Sequence, residues 1–134
     1  MCSSDLRGSI GYVEYAYVKK NGMTFLQLQN RAGRWVAPDD LTFAAAADGA
    51  DWFSVPGMGL SIVDQKQATA WPVTSASFII MYRNPDNREQ SQAVLKFFDW
   101  AFRNGRKMSE ELDYVHLPDT LTKQIRERVW TQIK

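Results

Sequence analysis

The chain has 134 residues, of which 45% are apolar and 23% charged, and its formal net charge is +1. This size suits one ordinary domain, and the composition is that of a folded globular chain rather than a disordered one. The near-neutral charge gives no indication of a nucleic acid or an acidic membrane as a partner, and the single cysteine and single histidine exclude an internal disulfide and a Cys- or His-rich metal site.

The beginning of the chain carries a strand signal followed by a helix signal. Residues 9–13 are β-prone and follow a glycine, which predicts a short buried strand. Residues 14–21 predict a helix with Glu14 at its start and two lysines at its end, the polarity that the helix dipole favours. The pair Asn21-Gly22 predicts where it stops. A strand through this segment is the alternative, because Tyr and Val favour strands.

The middle of the chain predicts a hairpin, a helix and a buried strand. Residues 24–29 alternate between two sets of side chains and predict a strand, with residues 35–36 as its partner across an NRAGR turn. Residues 38–48 predict a helix, because two aspartates fall in its first turn and alanines fill its body. Residues 50–72 have no clear period and predict an irregular segment with at most a short helical turn. Residues 74–83 contain the apolar run FIIM, which is typical of a strand covered on both faces in a parallel sheet.

Two amphipathic helices are predicted at the end of the chain. Apolar residues of the first recur at i, i+4, i+7 and i+8, which is one helical face, and Gly105 is expected to cap its end. Pro118 fits the first turn of the second helix, where its missing N–H costs nothing. The residues expected to be buried are Val94, Leu95, Phe98, Ala101 and Phe102 in the first helix and Leu121, Ile125 and Val129 in the second.

The residues give little sign of catalysis. His116 lies in a predicted loop without an obvious partner, so a surface or packing role is favoured over a catalytic one. The carboxylate pairs Asp39/Asp40 and Glu110/Glu111 are explained by the first turns of helices, where the helix dipole favours acidic side chains. The chain is therefore not expected to be an enzyme.

Five segments, taken in order, resemble one family of proteins. They read GSIGYVEYAYVKKNG, ADGADW, ATAWPVTSASFIIMYR, AVLKFFDWAFRNG and ELDYVHLPDTLTKQIRERVW. These segments resemble the PstS-type proteins, which are the phosphate-binding subunits of bacterial phosphate ABC transporters. The resemblance extends from about residue 8 to residue 134, and KFFDWAF and AWPVTS are its specific strings.

The resemblance implies an α/β fold and, more narrowly, part of the two-lobed periplasmic-binding-protein (type II) fold, which closes around phosphate like a hinged clamp. Residues 7–67 are expected to be the C-terminal part of the second lobe, and residues 68–134 the hinge crossing and the return to the first lobe. Family members are more than twice this long, so the chain is expected to be a C-terminal fragment. Residues 1–6 have no counterpart, and we interpret them as a non-native tail from sequencing or cloning.

The resemblance also implies phosphate binding without a metal or another cofactor. In the family, backbone N–H groups at helix N-termini, hydroxyls and an Arg donate to phosphate, and an Asp accepts its proton. The Gly/Ser-rich loops that carry these ligands lie upstream of this segment, so the main ligands are expected outside it. Thr74 and Ser75, two hydroxyl residues beside the lobe crossing, are the only candidates here. The more ordinary interpretation is that both residues lie at the start of a strand and that their hydroxyls form local hydrogen bonds.

The implied function is that of the substrate-binding component of a phosphate ABC transporter. Such a protein captures inorganic phosphate in the periplasm, or outside the cytoplasm on a membrane anchor, and delivers it to a membrane permease. The intact parent is expected to be a monomer that binds no nucleic acid. The alternative is a solute-binding-like sensor or structural domain without a transport role. No signal peptide is recognisable in this segment.

Overall fold

The computed structural model describes residues 8–134, so the tail interpreted at residues 1–6 lies outside the described residues. In chain order, the regular elements are helix α1 (Tyr15–Lys20), strands β1 (Leu28–Gln29) and β2 (Trp35–Val36), helix α2 (Asp40–Asp48), a 3-10 turn (Pro56–Met58), helices α3 (Arg88–Asn104), α4 (Arg106–Glu111) and α5 (Asp119–Arg128), and a second 3-10 turn (Trp130–Gln132). Helices thus account for most of the regular structure, beside one small antiparallel sheet.

Helix α1 confirms the helical interpretation of residues 14–21. The helix is followed by a left-handed Gly22 with φ of 60°. The Gly22 N–H donates to the Lys19 carbonyl at 3.2 Å, and the Met23 N–H donates to the Val18 carbonyl at 3.0 Å. These bonds satisfy two of the carbonyls that a helix end leaves free. The alternative strand is therefore wrong, because this closed helix end prevails over the β propensity of Tyr and Val.

Strands β1 and β2 form the predicted hairpin. They pair antiparallel, with Leu28 opposite Val36. The turn between them contains Gly33 in the left-handed region, with φ of 75°. The strand predicted over residues 24–29 is shorter than expected, because β2 offers it a partner of only two residues.

Helix α2 begins slightly later than predicted, because Asp39 caps it from outside. The Asp39 carboxylate accepts the Thr42 N–H at 2.7 Å, and the Thr42 hydroxyl accepts the Asp39 N–H at 3.0 Å. This reciprocal pair satisfies two backbone donors at the start of the helix. The segment after α2 is irregular apart from the first 3-10 turn, as predicted.

Both predicted closing helices are confirmed, with the short α4 between them. In α3, Leu95 is buried and the other four residues of the predicted face are half-buried. In α5, Leu121 is buried and Ile125 half-buried, while Val129 forms the C-cap. Pro118 is the N-cap of α5 rather than part of its first turn. Each helix therefore turns its predicted apolar stripe inward.

Two predicted strands are wrong for the described part of the chain. Residues 9–13 and 74–83 join no sheet there. The FIIM run is also not covered, since Ile80 is 93% exposed and Phe78 is 50% exposed. A strand is stabilised by hydrogen bonds and side-chain pairs with a neighbouring strand. No segment of residues 8–134 supplies that neighbour to either stretch.

The apolar core lies where the end of α2, the irregular segment after it and α5 meet. Its buried members are Ala47, Trp52, Ile62 and Leu121. The Trp52 indole Nε1 donates to the Ala47 carbonyl at 2.8 Å, so its polar atom is satisfied inside the core. The Arg128 guanidinium carbon lies 3.8 Å from the centre of the Phe53 ring, which is a cation–π contact beside this core.

Gly105 caps α3 as predicted, at a point where a side chain has no room. Its N–H donates to the Ala101 carbonyl at 2.7 Å, and a Cβ on Gly105 would lie 2.5 Å from that oxygen. We expect Gly105→Ala to lower the free energy of unfolding by about 1–3 kcal/mol, because the backbone must shift to relieve the overlap. Gly59→Ala is the control, since a Cβ there meets nothing within 4 Å. Urea unfolding measures both, and equal stability of the two variants would contradict the prediction.

Candidate functional site

The predicted lobe crossing is bonded to the hairpin turn by the side chain of Asn30. Asn30 is only 5% exposed. Its Nδ2 donates to the carbonyls of Ala68 at 2.9 Å and Ala70 at 3.1 Å, and a longer contact of 3.4 Å reaches the Gln67 carbonyl. Carbonyls in an irregular, partly buried segment need such a donor, because no helix or sheet supplies one.

The other end of the same side chain shapes the turn itself. The Asn30 Oδ1 accepts the N–H of Ala32 at 3.1 Å and the N–H of Arg34 at 3.0 Å. The Asn30 backbone N–H also donates to the Arg34 carbonyl at 2.9 Å. One amide side chain therefore satisfies backbone groups in two segments that are far apart in the sequence.

The candidate phosphate ligands Thr74 and Ser75 follow this crossing directly. Thr74 is 9% exposed, and its hydroxyl donates to the Trp71 carbonyl at 2.9 Å. Ser75 is exposed. The Trp71 N–H donates to the Thr42 carbonyl at 3.0 Å, which fixes the segment on α2. The Thr74 hydroxyl thus has a local acceptor, and a phosphate-binding role for either residue stays a prediction.

The N-termini of α2, α3 and α5 carry acidic or capping side chains. Asp39 caps α2 and Asp40 follows it, while Asp119 is the first residue of α5. Asn87 caps α3 by accepting the Gln90 N–H at 3.0 Å. Carboxylates at these positions repel an anion that the helix dipole alone would attract.

His116 is half-buried beside charged side chains of α4 and α5. Burial, and then the positive charge of Arg106, lower the pKa of His116. The pair Glu110/Glu111 lies at the end of α4 and not in its first turn as predicted, because α4 already begins at Arg106. Glu111 forms an ion pair of 3.8 Å with Lys107 one turn earlier. These side chains are explained by helix surface charge.

A groove of about 540 Å³ lies between α3 and the C-terminal residues, and Asp99 is one of its lining residues. One Asp99 carboxylate oxygen accepts from Arg103 Nε at 2.8 Å, and the other accepts from Arg126 Nε at 2.7 Å. Arg126 belongs to α5, so these ion pairs join the two helices. Hydrogen bonds from Arg103 and Arg126 lower the pKa of Asp99.

Acid should weaken this Asp99 cluster. The pKa of Asp99 is lowered in the folded chain, so the ionised carboxylate stabilises the fold at pH values above the ordinary carboxyl pKa. This stabilisation is lost as the pH falls through the folded-state pKa. We expect the stability difference between the unaltered chain and Asp99→Asn to be constant from about pH 7 to about pH 5 and to shrink below about pH 4. Urea unfolding across this range measures it. A difference that persists unchanged to about pH 2 would contradict the assignment.

The described residues contain neither a candidate metal cluster nor a candidate membrane span. No group of three or more His, Cys, Asp or Glu side chains is suited to holding a metal ion in residues 8–134. Within the same residues, no helix has both the length and the apolar character needed to cross a bilayer.

Comparison with known proteins identifies a class of phosphate-binding proteins as similar to this chain. The matching proteins carry the name phosphate-binding protein PstS. The chain is 44% identical over 131 residues to that of Pasteurella multocida, 43% over 129 residues to that of Haemophilus influenzae, and 46% over 125 residues to that of Xylella fastidiosa strain 9a5c. These alignments cover 98%, 96% and 93% of this chain, respectively.

The same comparisons bear on the family resemblance and on the length of the chain. The chain spans only 38%, 39% and 34% of those three relatives. No protein-family model matches it. The resemblance to PstS-type proteins is nevertheless confirmed, because it extends over nearly the whole chain at more than two-fifths identity.

The roles of two structural residues of this region are not evident from the sequence. Asn30 belongs to the NRAGR turn, and nothing in its local sequence indicates its bonds to residues 67–70. Asp99 was not singled out either. Its spacing of four residues from Arg103 does indicate an ion pair on one helical face. The second arginine on Asp99 comes from another helix, and no spacing rule reveals it.

Proposed function

We propose that this chain is the C-terminal part of the substrate-binding component of a phosphate ABC transporter. In this role the whole protein captures inorganic phosphate outside the cytoplasm and delivers it to a membrane permease. The observation that supports the proposal is the similarity to PstS proteins over more than nine-tenths of the chain. A binding role also fits the helix-surface interpretation of His116 and the Glu110/Glu111 pair.

The proposed organisation has two parts within this chain. Residues 7–67 form the C-terminal part of the second lobe, and residues 68–134 form the hinge crossing and the return to the first lobe. The bonds from Asn30 to Ala68 and Ala70 support a crossing at this point, since they hold the segment where the two parts meet. Residues 74–83 then find their sheet partner in the remainder of the protein.

The proposed phosphate ligands lie mainly in the remainder of the protein. Within this chain, Thr74 and Ser75 are the proposed contributors, since both follow the crossing. Thr74→Ser keeps the hydroxyl that donates to the Trp71 carbonyl, whereas Thr74→Val removes it. In the complete protein, we expect Thr74→Val to weaken phosphate binding and Thr74→Ser to preserve it. Equal affinities for these two variants would remove Thr74 from the ligand set.

The complete protein is proposed to work in the periplasm, or outside the cytoplasm on a membrane anchor. It is proposed to be a monomer that needs no metal and binds no nucleic acid. Such a location fits a role in which phosphate is taken from outside and passed to the permease.

The deciding experiment is to read the source DNA upstream of the codon for Arg7 and to express the complete reading frame. We expect the frame to continue into Gly/Ser-rich loops, and its product to bind inorganic phosphate with a dissociation constant of about 1 μM or less by calorimetry. Sulfate is the control ligand, because an acceptor carboxylate rejects an anion without a proton to donate. A complete product that binds no phosphate would overturn the proposal.

A further inference from the structure

The groove between α3 and the C-terminal residues has more cationic than acidic side chains. The residues that matter are Lys96, Asp99, Trp100, Arg103, Arg126 and Trp130. Three of them are cationic and one is acidic. The two arginines donate to Asp99 only through Nε. Their terminal guanidinium nitrogens make no hydrogen bond to any residue of the described chain.

Asp99 fixes the position of these free donors. Because its carboxylate holds Arg103 and Arg126 at once, both guanidinium groups stay in the groove. The Arg126 guanidinium also lies 6.0 Å from the centre of the Phe102 ring, and only 25% of its side chain is exposed. A partly desolvated and pre-positioned guanidinium binds a carboxylate more strongly than a mobile surface cation does.

The rest of the groove is half apolar and half polar, with Leu95, Trp100 and Trp130 beside Gln92, Asn104 and Thr131. Trp100 is 50% exposed beside the cations. Trp130 stacks on Phe102 with the ring centres 5.6 Å apart and the planes within 8° of parallel. A ligand with both an apolar side chain and negative charge complements the exposed Trp100 and the three cations of this surface.

We propose that this groove binds an acidic peptide segment of a partner protein, with carboxylates on Lys96, Arg103 and Arg126 and an apolar side chain on Trp100. Lys96 and Arg103 are seven residues apart on α3, about 10 Å along the helix axis, which is within the reach of two carboxylates of one extended peptide. A nucleic acid is disfavoured, because the chain carries a net charge of only +1 and Asp99 lies among the cations. The proposal does not rest on phosphate binding by the whole protein.

The test uses the labelled peptide Glu-Leu-Asp-Phe-Glu and fluorescence polarisation with the whole chain at low salt. We expect saturable binding that weakens as salt is added, because exposed charges are screened. Lys96→Gln combined with Arg103→Gln should weaken binding about tenfold or more, since two charge-assisted contacts are lost. Lys107→Gln is the matched control, because Lys107 is an exposed cation on α4 that does not line the groove.

Three further measurements decide between this ligand and others. The peptide Gln-Leu-Asn-Phe-Gln, which lacks the charges, should not bind. Inorganic phosphate at the same ionic strength should not displace the acidic peptide more than chloride does, and a short duplex DNA should not compete. The proposal is overturned if the neutral peptide binds equally, if phosphate or DNA displaces the acidic peptide, if the double variant binds like Lys107→Gln, or if no binding occurs.

Discussion

Replacing Asn30 by alanine is expected to lower the free energy of unfolding by about 3 kcal/mol. The side chain is buried and holds the carbonyls of Ala68 and Ala70 on one side and the N–H of Arg34 on the other. Alanine leaves these backbone groups without a partner. Each buried polar group that loses its hydrogen bond costs about 1–3 kcal/mol, and water entering the crossing recovers part of that sum.

The matched control for this prediction is Gln29→Ala, in the same hairpin. The Gln29 side chain also bonds the turn, donating to the Gly33 carbonyl at 3.1 Å, but that contact is exposed. Water replaces it readily, so we expect a change within about 0.5 kcal/mol. Urea unfolding followed by tryptophan fluorescence measures both variants. If Asn30→Ala is no more costly than Gln29→Ala, the crossing is not held by this side chain.

Asn30→Asp tests whether the side chain at this position must donate a hydrogen bond to the crossing. The introduced carboxylate would face the carbonyl oxygens of Ala68 and Ala70 without a proton to donate. Burial and the facing carbonyl oxygens disfavour the charged form more than the N–H groups of Ala32 and Arg34 favour it, so the pKa of the introduced carboxyl rises on folding. A raised folded-state pKa means that stability is present at low pH and lost as the pH rises. We therefore expect this variant to be less stable than Asn30→Ala at pH 7 and to recover in acid; a variant that loses stability in acid would contradict this account.

The helices of this chain were predictable because their signals are local. The carboxylate of Asp39 at the start of α2 and the glycine after α1 act within a few residues of the chain. The apolar stripes of α3 and α5 follow from a period of 3.6 residues, whatever they pack against. Their burial in the structure agrees with the prediction at Leu95 and Leu121.

The strands were less predictable because a strand is defined by its partner. Residues 35–36 formed the expected hairpin, since a short turn brings the two strands together. Residues 74–83 have equal or stronger β propensity, yet they pair with nothing in residues 8–134. A propensity for strands cannot reveal whether a neighbouring strand is present. On the proposed function, that neighbour lies in the remainder of the protein.

Trp52→Ala is expected to have the largest effect on stability, about 3–5 kcal/mol. Trp52 is 6% exposed and is the largest buried side chain in the described residues. It packs with Ile62 and Leu121 in the same core. Alanine removes most of this buried area and leaves a cavity that α5 can close only by moving. Thermal and urea unfolding measure the loss, and a change below about 1 kcal/mol would show that this cluster is not the core.

Trp52→Phe separates packing from hydrogen bonding in this core. Phenylalanine keeps an aromatic ring near Phe78, whose ring centre lies 6.3 Å from that of Trp52 in the unaltered chain. It removes the Nε1 donor to the Ala47 carbonyl, which keeps a longer bond of 3.4 Å from the Ala50 N–H. We expect a loss of about 1–2 kcal/mol, clearly smaller than for alanine. If the two variants lost equal stability, the hydrogen bond to α2, and not the buried area against α5, would hold this part of the fold together.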